Sequence, residues 1–318
     1  MKLYFAPMEG VTSSVYRRLH AEMFPGADRY YAPFLAPDGS GNCRSSAMRE
    51  LLPERNRGLS LVPQILCSRP GPFLIAADRL RELGYEEVNL NVGCPSATVV
   101  TKHKGAGMLL DLRTLDAFFE EVFSHCPLRV SVKTRLGLQS TEEFPAVLEI
   151  YQRYPISELI IHARDRSGMY QSRPDLPAFA AAWAQSRVPV CYNGDLFSPA
   201  ALSVVQDAVP GLDRFMLGRG AAANPALPRQ LRGGAPLESE ELETFLARLC
   251  EGMLSAGLSE HHTLVRLKEL WYYLIHMFPD SRRGAKDIRK AQDLSDYRAA
   301  VRSLFSENSF CAEAAFRG

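Results

Sequence analysis

The 318-residue sequence has no long apolar run, almost no net charge and no paired-cysteine motif. No apolar stretch approaches the roughly 20 residues that a membrane-spanning helix needs, so no membrane association is expected. The opening MKLYFAPMEG becomes a strand and a turn too early for a secretory signal, and a cytoplasmic protein is expected. Lysine and arginine number 37 and aspartate and glutamate 36, a net charge of +1. That balance gives no general attraction for nucleic acid, although a local basic patch could still supply one. The seven cysteines (Cys43, Cys67, Cys94, Cys126, Cys191, Cys250 and Cys311) are odd in number and include no C-x-x-C pair. This argues against a disulfide framework and against a zinc ribbon; most should be buried, inert thiols. No His/Asp/Glu cluster has metal-ligand spacing, so no metal is expected. A Walker-type loop is missing too, as is a G-x-G-x-x-G after the first strand.

What is present is an alternation. Short apolar runs at 2–8, 28–35, 59–66, 87–93, 129–137, 157–164, 188–195 and 213–220 read as strands. Helical patterns at 14–24, 73–83, 112–124, 142–154, 175–185 and 198–208 separate most of them. Eight strands apolar on both faces, spread over about 225 residues, predict a (β/α)8 TIM barrel, an α/β fold. A doubly wound open sheet is the alternative, disfavoured by the count of eight and the missing glycine fingerprint. After residue 236 the strand pattern stops. Helices are expected at 239–257, with Ser239 as N-cap, at 262–278 and at 294–307. The chain therefore divides into a barrel domain, 1–235, and a small all-helical C-terminal domain, 236–318, joined at Gly233-Gly234-Ala235-Pro236.

Chemistry in such a barrel collects at the C-terminal ends of the strands. The expected ends carry Pro7 and Met8, Gln64, Asn91 with Gly93 and Cys94, Lys133 and Arg135, His162 and Arg164, Asn193-Gly194-Asp195, and Gly218-Arg219-Gly220. Each has a plain structural explanation: an amide that caps a turn, a snorkelling lysine, a core histidine, a helix-starting turn. Together, six polar or glycine-bearing ends on one rim exceed what stability requires. The glycines after strands 7 and 8 suit a phosphate, Lys133 an anion, and Gln64 and Asn91 a planar heterocycle. Flavin mononucleotide (FMN) fits that set best.

The motifs APMEGVT, NLNVGCPS, KGAGMLL, VSVKTRLG, IHAR, NGD and LGRGAAANP, in this order, resemble the flavin-dependent tRNA-dihydrouridine synthases over nearly the whole chain. The resemblance implies an FMN-dependent oxidoreductase. NADPH reduces the flavin, a hydride passes to carbon 6 of a uracil in tRNA, and a cysteine protonates carbon 5. It implies that Cys94 is the general acid, used as the neutral thiol, and that Pro7 and Met8 lie against the flavin ring. Gln64 and Lys133 would meet the ring's polar edge, and His162 and Arg164 its phosphate side. Asn193, Gly194, Asp195, Gly218 and Arg219 would hold the phosphate, and Asn91 the target uracil. The segment TKHKGAGMLL looks like the family's mobile loop, with Gly105 and Gly107 as hinges and Lys102 and Lys104 near phosphate or NADPH; a solvated charged loop is the other reading. Ala163 and Asp165 depart from the usual pattern, and the segment QILCSRP lacks the glycine often found after its glutamine. The extra carboxylate suggests that Arg164 serves partly as an ion-pair partner.

A base inside folded RNA must be turned out to be modified, which calls for a basic surface around the mouth. Residues 264–302 hold nine basic and five acidic side chains, so the remainder of the chain sums to −3. The segment RLKELWYY resembles the family's RNA-facing helix and offers Arg266 and Lys268 as phosphate contacts. At least two of Trp271, Tyr272 and Tyr273 should instead be core or interface residues. A monomer is expected. The alternatives are a flavin barrel acting on a free pyrimidine or other small molecule, a ribosomal-RNA dihydrouridine synthase, and an RNA-binding protein with an inactive barrel.

Overall fold

The computed structural model describes residues 1–279, 281–313 and 316. Asp280, counted above among the acidic residues of the tail, lies outside them. Parallel strands form one sheet: β1 (Lys2–Phe5), β2 (Arg29–Tyr31), β3 in two pieces (Leu61–Val62 and Gln64–Ile65), β4 (Glu87–Val92), β5 (Arg129–Gly137), β6 (Leu159–Asp165), β7 (Val190–Asn193) and β8 (Arg214–Leu217). The first piece of β3 pairs with β2 and the second with β4, in the registers Tyr31↔Val62 and Gln64↔Asn89. Pro63 lies between them. It has no N–H to give to a ladder, so the strand is split there. Its carbonyl still accepts from the Asn89 N–H at 2.8 Å. Because β1 also pairs with β8, the sheet closes into the eight-stranded barrel that the sequence predicts.

The helices begin where the sequence supplies an acceptor. Ser13, Asp111, Asp175, Ser198, Ser259 and Asp293 each accept from a first-turn N–H. The helix Ser239–Ser255 is capped one residue earlier than expected. Glu238 is its N-cap, and its N–H donates to the Glu241 carboxylate at 3.1 Å, the return half of a capping box. The interior of the barrel holds Tyr4, Tyr31, Val62, Ile160, Cys191 and Met216. At the N-terminal end of the strands, buried Glu158 bonds the hydroxyls of Tyr4 and Tyr31 and, at 3.0 Å, Arg214. Burial raises its carboxyl above the ordinary range.

The C-terminal region has one helix more than the sequence suggests, Arg282–Lys290, besides Glu260–Leu274 and Leu294–Glu307. Phe245 sits edge-on to Tyr16 and Phe24, at 5.4 and 5.2 Å, and one apolar cluster runs through barrel and helices alike. Among the described residues, no helix is long and apolar enough to cross a membrane.

Candidate active site

The strand ends enclose an open cleft. Pro7, Met8, Lys133, His162, Asn193, Gly194, Asp195, Gly218 and Arg219 all line it. Lys133 is fixed from across the barrel: its Nζ donates to Asn193 Oδ1 at 2.9 Å, and Asn193 Nδ2 donates to the Met216 carbonyl at 2.9 Å. Burial, and the nearby Arg135, bring the Lys133 ammonium down to about 8.

Arg164 lies behind the cleft wall with its side chain 1% exposed. Its Nε donates to the Ser172 carbonyl at 2.7 Å and its Nη1 to His162 Nε2 at 3.0 Å. The imidazole is therefore the neutral tautomer with its proton on Nδ1. Burial and the surrounding cations hold its pKa well below the usual histidine range. Asp195 bridges two arginines: one carboxylate oxygen meets Arg164, and the other meets Arg219 at 2.6 Å. It belongs to a turn with positive φ at both Gly194 and Asp195, a shape that aspartate tolerates. Arg164 is thus an ion-pair partner as expected, but its partner is Asp195. Asp165 instead caps its own loop, accepting from Ser167 Oγ and the Gly168 N–H at 2.7 Å each. The Asp195 carboxylate has only acceptors to offer, so its side chain serves to order the two guanidinium groups, of which Arg219 lines the cleft. The cations Lys133, Arg135, Arg164 and Arg219 gather around His162, with the carboxylates of Asp165 and Asp195 beside them. Aromatic rings surround Arg219: Tyr170 at 4.6 Å, and Phe197 and Phe316 at 5.6 Å.

On the other side of the mouth, half-buried Cys94 follows β4. Asn91 Oδ1 accepts from the N–H groups of Gly93 (3.1 Å) and Cys94 (2.9 Å), closing a turn that fixes the thiol-bearing residue. The Nδ2 of Asn91 donates to Gln64 Oε1 at 2.8 Å. In this arrangement Asn91 spends both ends of its amide inside the protein, so its first role is to hold Cys94. Arg135 Nε donates to the Gly93 carbonyl at 2.9 Å, and its Nη1 to the carbonyls of Asp165 (2.8 Å) and Met169 (3.1 Å). Gly105 packs under Cys94 with φ +56°, where an added Cβ would come within 2.9 Å of the Cys94 Cβ. One at Gly107 would come within 2.7 Å of the Val100 carbonyl. Close packing of buried backbone calls for glycine at both positions.

The RNA candidates separate. Lys102 is exposed and Lys104 half-buried. Arg266 reaches the rim beside Gly10 and pairs with Glu269 at 3.0 Å. Lys268 turns the other way: its Nζ donates to the Ala291 carbonyl at 2.5 Å, at the end of the helix Arg282–Lys290. Trp271 is buried and bonds the Tyr297 hydroxyl at 2.9 Å, Tyr273 is half-buried, and Tyr272 is 60% exposed. No group of three or more His, Cys, Asp and Glu among the described residues could hold a metal ion.

The dihydrouridine synthase (Dus) family model matches residues 4–316. The chain belongs to that family. It is 27% identical to the tRNA-dihydrouridine synthase B of Pseudomonas aeruginosa, over 96% of this chain and 93% of that one. It is 30% identical to the tRNA-dihydrouridine(16) synthase of Ralstonia nicotianae, over 94% and 95%. Morphinone reductase, in complex with tetrahydroNAD, shares the fold with a TM-score of 0.53 at 12% identity, covering 74% of this chain and 88% of that one. Membership makes the chain an oxidoreductase that reduces uridine, and it implies a flavin.

Several residues of this dihydrouridine synthase's site escaped the sequence reading. Arg135 was noticed on its strand but given no role. Asn89 and Ser131 were passed over, although they follow the period of two that points Asn91 and Lys133 into the barrel. Tyr170, Phe197 and Phe316 stand on loops and a terminal segment, where no periodicity marks them.

Proposed function

We propose that the protein is a cytoplasmic, monomeric tRNA-dihydrouridine synthase that binds FMN and draws its reducing equivalents from NADPH. The observation that carries this reading is Cys94, in a turn held by Asn91 and Arg135 and near enough to Lys133 of the cleft lining to interact with it electrostatically, in a chain of the Dus family. The residues present fit the cofactor. The Arg164–Asp195–Arg219 cluster would take the phosphate. Lys133, with Gln64 across the barrel, would take the polar edge of the ring, while Pro7 and Met8 would lie against its plane. Bound there, the reduced flavin supplies the hydride that carbon 6 of the uracil needs. Cys94 holds a proton on Sγ and delivers it to carbon 5, so the C5=C6 double bond is reduced by one hydride and one proton. Lys133 is close enough to act electrostatically on Cys94. Water restores the thiol. Arg266 at the rim, with Lys102 and Lys104 after Cys94, would meet the RNA backbone, as recognition by shape and phosphate requires.

The test is turnover by the flavin-loaded protein with NADPH on bulk tRNA, ribosomal RNA and free uridine. Dihydrouridine in tRNA supports the reading. Turnover of free uridine alone would replace it with a small-molecule reductase, and turnover of ribosomal RNA alone would change the substrate. A purified protein that takes up no FMN would leave an RNA-binding protein with an inactive barrel.

A further inference from the structure

We propose that Asn89 and Ser131, buried one layer below the cleft, are positioning residues that set the orientation of Gln64 and, through Asn91, the placement of Cys94. Four side chains form one continuous chain of hydrogen bonds. Asn89 Nδ2 donates to Ser131 Oγ at 3.0 Å, Gln64 Nε2 to Asn89 Oδ1 at 2.7 Å, and Asn91 Nδ2 to Gln64 Oε1 at 2.8 Å. Asn91 Oδ1 ends the chain on the N–H groups of Gly93 and Cys94. All four residues are buried.

The direction of this chain is forced by chemistry. A backbone N–H can only donate, so Asn91 must turn its oxygen toward Gly93 and Cys94. Its NH2 then faces Gln64, which must answer with its oxygen. The NH2 of Gln64 faces Asn89, which must also answer with its oxygen, and the remaining NH2 needs an acceptor. Ser131 Oγ supplies it. Each amide thus has one permitted orientation, fixed by the Gly93 and Cys94 backbone at one end, while the Ser131 hydroxyl, able to accept or donate, satisfies the last NH2 at the other. Asn91 lies two residues nearer the mouth than Asn89, so the end of Gln64 on the cleft side is the carbonyl. Without Asn89, Gln64 loses the partner that holds its NH2 away from the cleft. It can then turn over and present a donor where an acceptor stood, which also frees Asn91 and the turn that bears Cys94.

The inference rests on the proposed synthase reading, and its test separates the two. The flavin-loaded variants Asn89→Leu, Asn89→Asp and Ser131→Ala are compared with the parent. Asn89→Leu should lower kcat about 10- to 100-fold, the cost of one unsatisfied buried amide, with KM for tRNA within about twofold. It should also shift the absorption spectrum of bound flavin. Asn89→Asp keeps an oxygen for Gln64 and takes the Ser131 hydroxyl as donor, so it should stay within about threefold of the parent. Ser131→Ala, the mildest change, should show a smaller kcat loss of about two- to fivefold and a flavin shift in the same direction. In the apoprotein, the side-chain amide protons of Gln64 and Asn91 should exchange slowly with water, and Ser131→Ala should quicken them; this readout does not depend on the substrate. A parent protein without synthase activity defeats the synthase reading and leaves the amide exchange to judge the chain. Wild-type kcat and flavin spectrum in Asn89→Leu or Ser131→Ala would overturn the inference. So would equal damage in Asn89→Asp and Asn89→Leu, or unaltered amide exchange in Ser131→Ala.

Discussion

Asp195 holds two arginines together in the apoprotein, and a cofactor phosphate would bring its own negative charge to the same place. Replacing Asp195 by asparagine removes the charge and little else: the shape is retained, and asparagine also accepts the positive φ of this position. Removing one partner of a buried ion pair costs about 3–5 kcal/mol when the other charge is left alone. Here the cost is lower. Asp195 is 27% exposed, asparagine still offers an oxygen, and Arg164 keeps the Ser172 carbonyl and His162. A loss of about 2 kcal/mol follows. For a chain of this size it corresponds to a fall of about 3 °C in melting temperature. The assay is thermal unfolding of parent and Asp195→Asn apoproteins, repeated with saturating FMN and with riboflavin. FMN should close most of the gap, because its phosphate takes over as partner of Arg164 and Arg219. Riboflavin, with no phosphate, should leave the gap open. If no gap exists in the apoproteins, or if FMN leaves it unchanged, the two guanidinium groups are not the phosphate site.

Other outcomes follow from the same geometry. Cys94→Ala should keep flavin binding and NADPH oxidation while dihydrouridine formation falls about 10²–10⁴-fold, the usual contribution of a general acid; full activity would remove Cys94 from the chemistry. FMN affinity, followed by flavin fluorescence, should decline as pH rises past about 8, where Lys133 of the free protein loses the proton that makes it attractive to an anion. Lys133→Met should lack that decline. Apoprotein stability should move the other way. The unfolded chain holds the Lys133 proton up to its ordinary value, so stability rises between about pH 8 and that value, and the Met variant should lack this rise as well. Arg266→Ala should reduce the salt slope of tRNA binding by about one unit, whereas Lys268→Ala should lower thermal stability with little change in slope, because its ammonium holds the Ala291 carbonyl.

The strands could be read in the sequence because each is a short apolar run between helical patterns; of the strand-end residues singled out, Pro7, Met8, Lys133, His162, Asn193, Gly194, Asp195, Gly218 and Arg219 line the cleft, whereas Gln64, Asn91 and Arg164 are buried outside its lining. What escaped depends on partners distant in the chain. Nothing local says that Arg164 meets Asp195, 31 residues on, or that Lys268 turns toward Ala291. The helix Arg282–Lys290 was invisible for a related reason. It buries only Ile288, and it carries a glycine, Gly284, where an added Cβ would come within 2.6 Å of Leu304 Cδ1. Its sequence favours a helix apart from the glycine but shows no apolar stripe to mark one; packing against Leu294–Glu307 sustains it. The split in β3 was legible only as Pro63 within an apolar run, and only the barrel reveals that the two halves face different neighbours.

Arg135 ties together parts of the mouth that come from different strands. A single planar side chain grips the Gly93 carbonyl beside the thiol-bearing residue, and the Asp165 and Met169 carbonyls around the loop that carries Tyr170. The two rims of the cleft are therefore not independent walls. A push on one is transmitted to the other through one rigid fork, so the loop that carries Tyr170 and the turn that carries Cys94 share the same tether. Mechanically, the opening behaves as a clasp with a single rivet rather than as two loose lips.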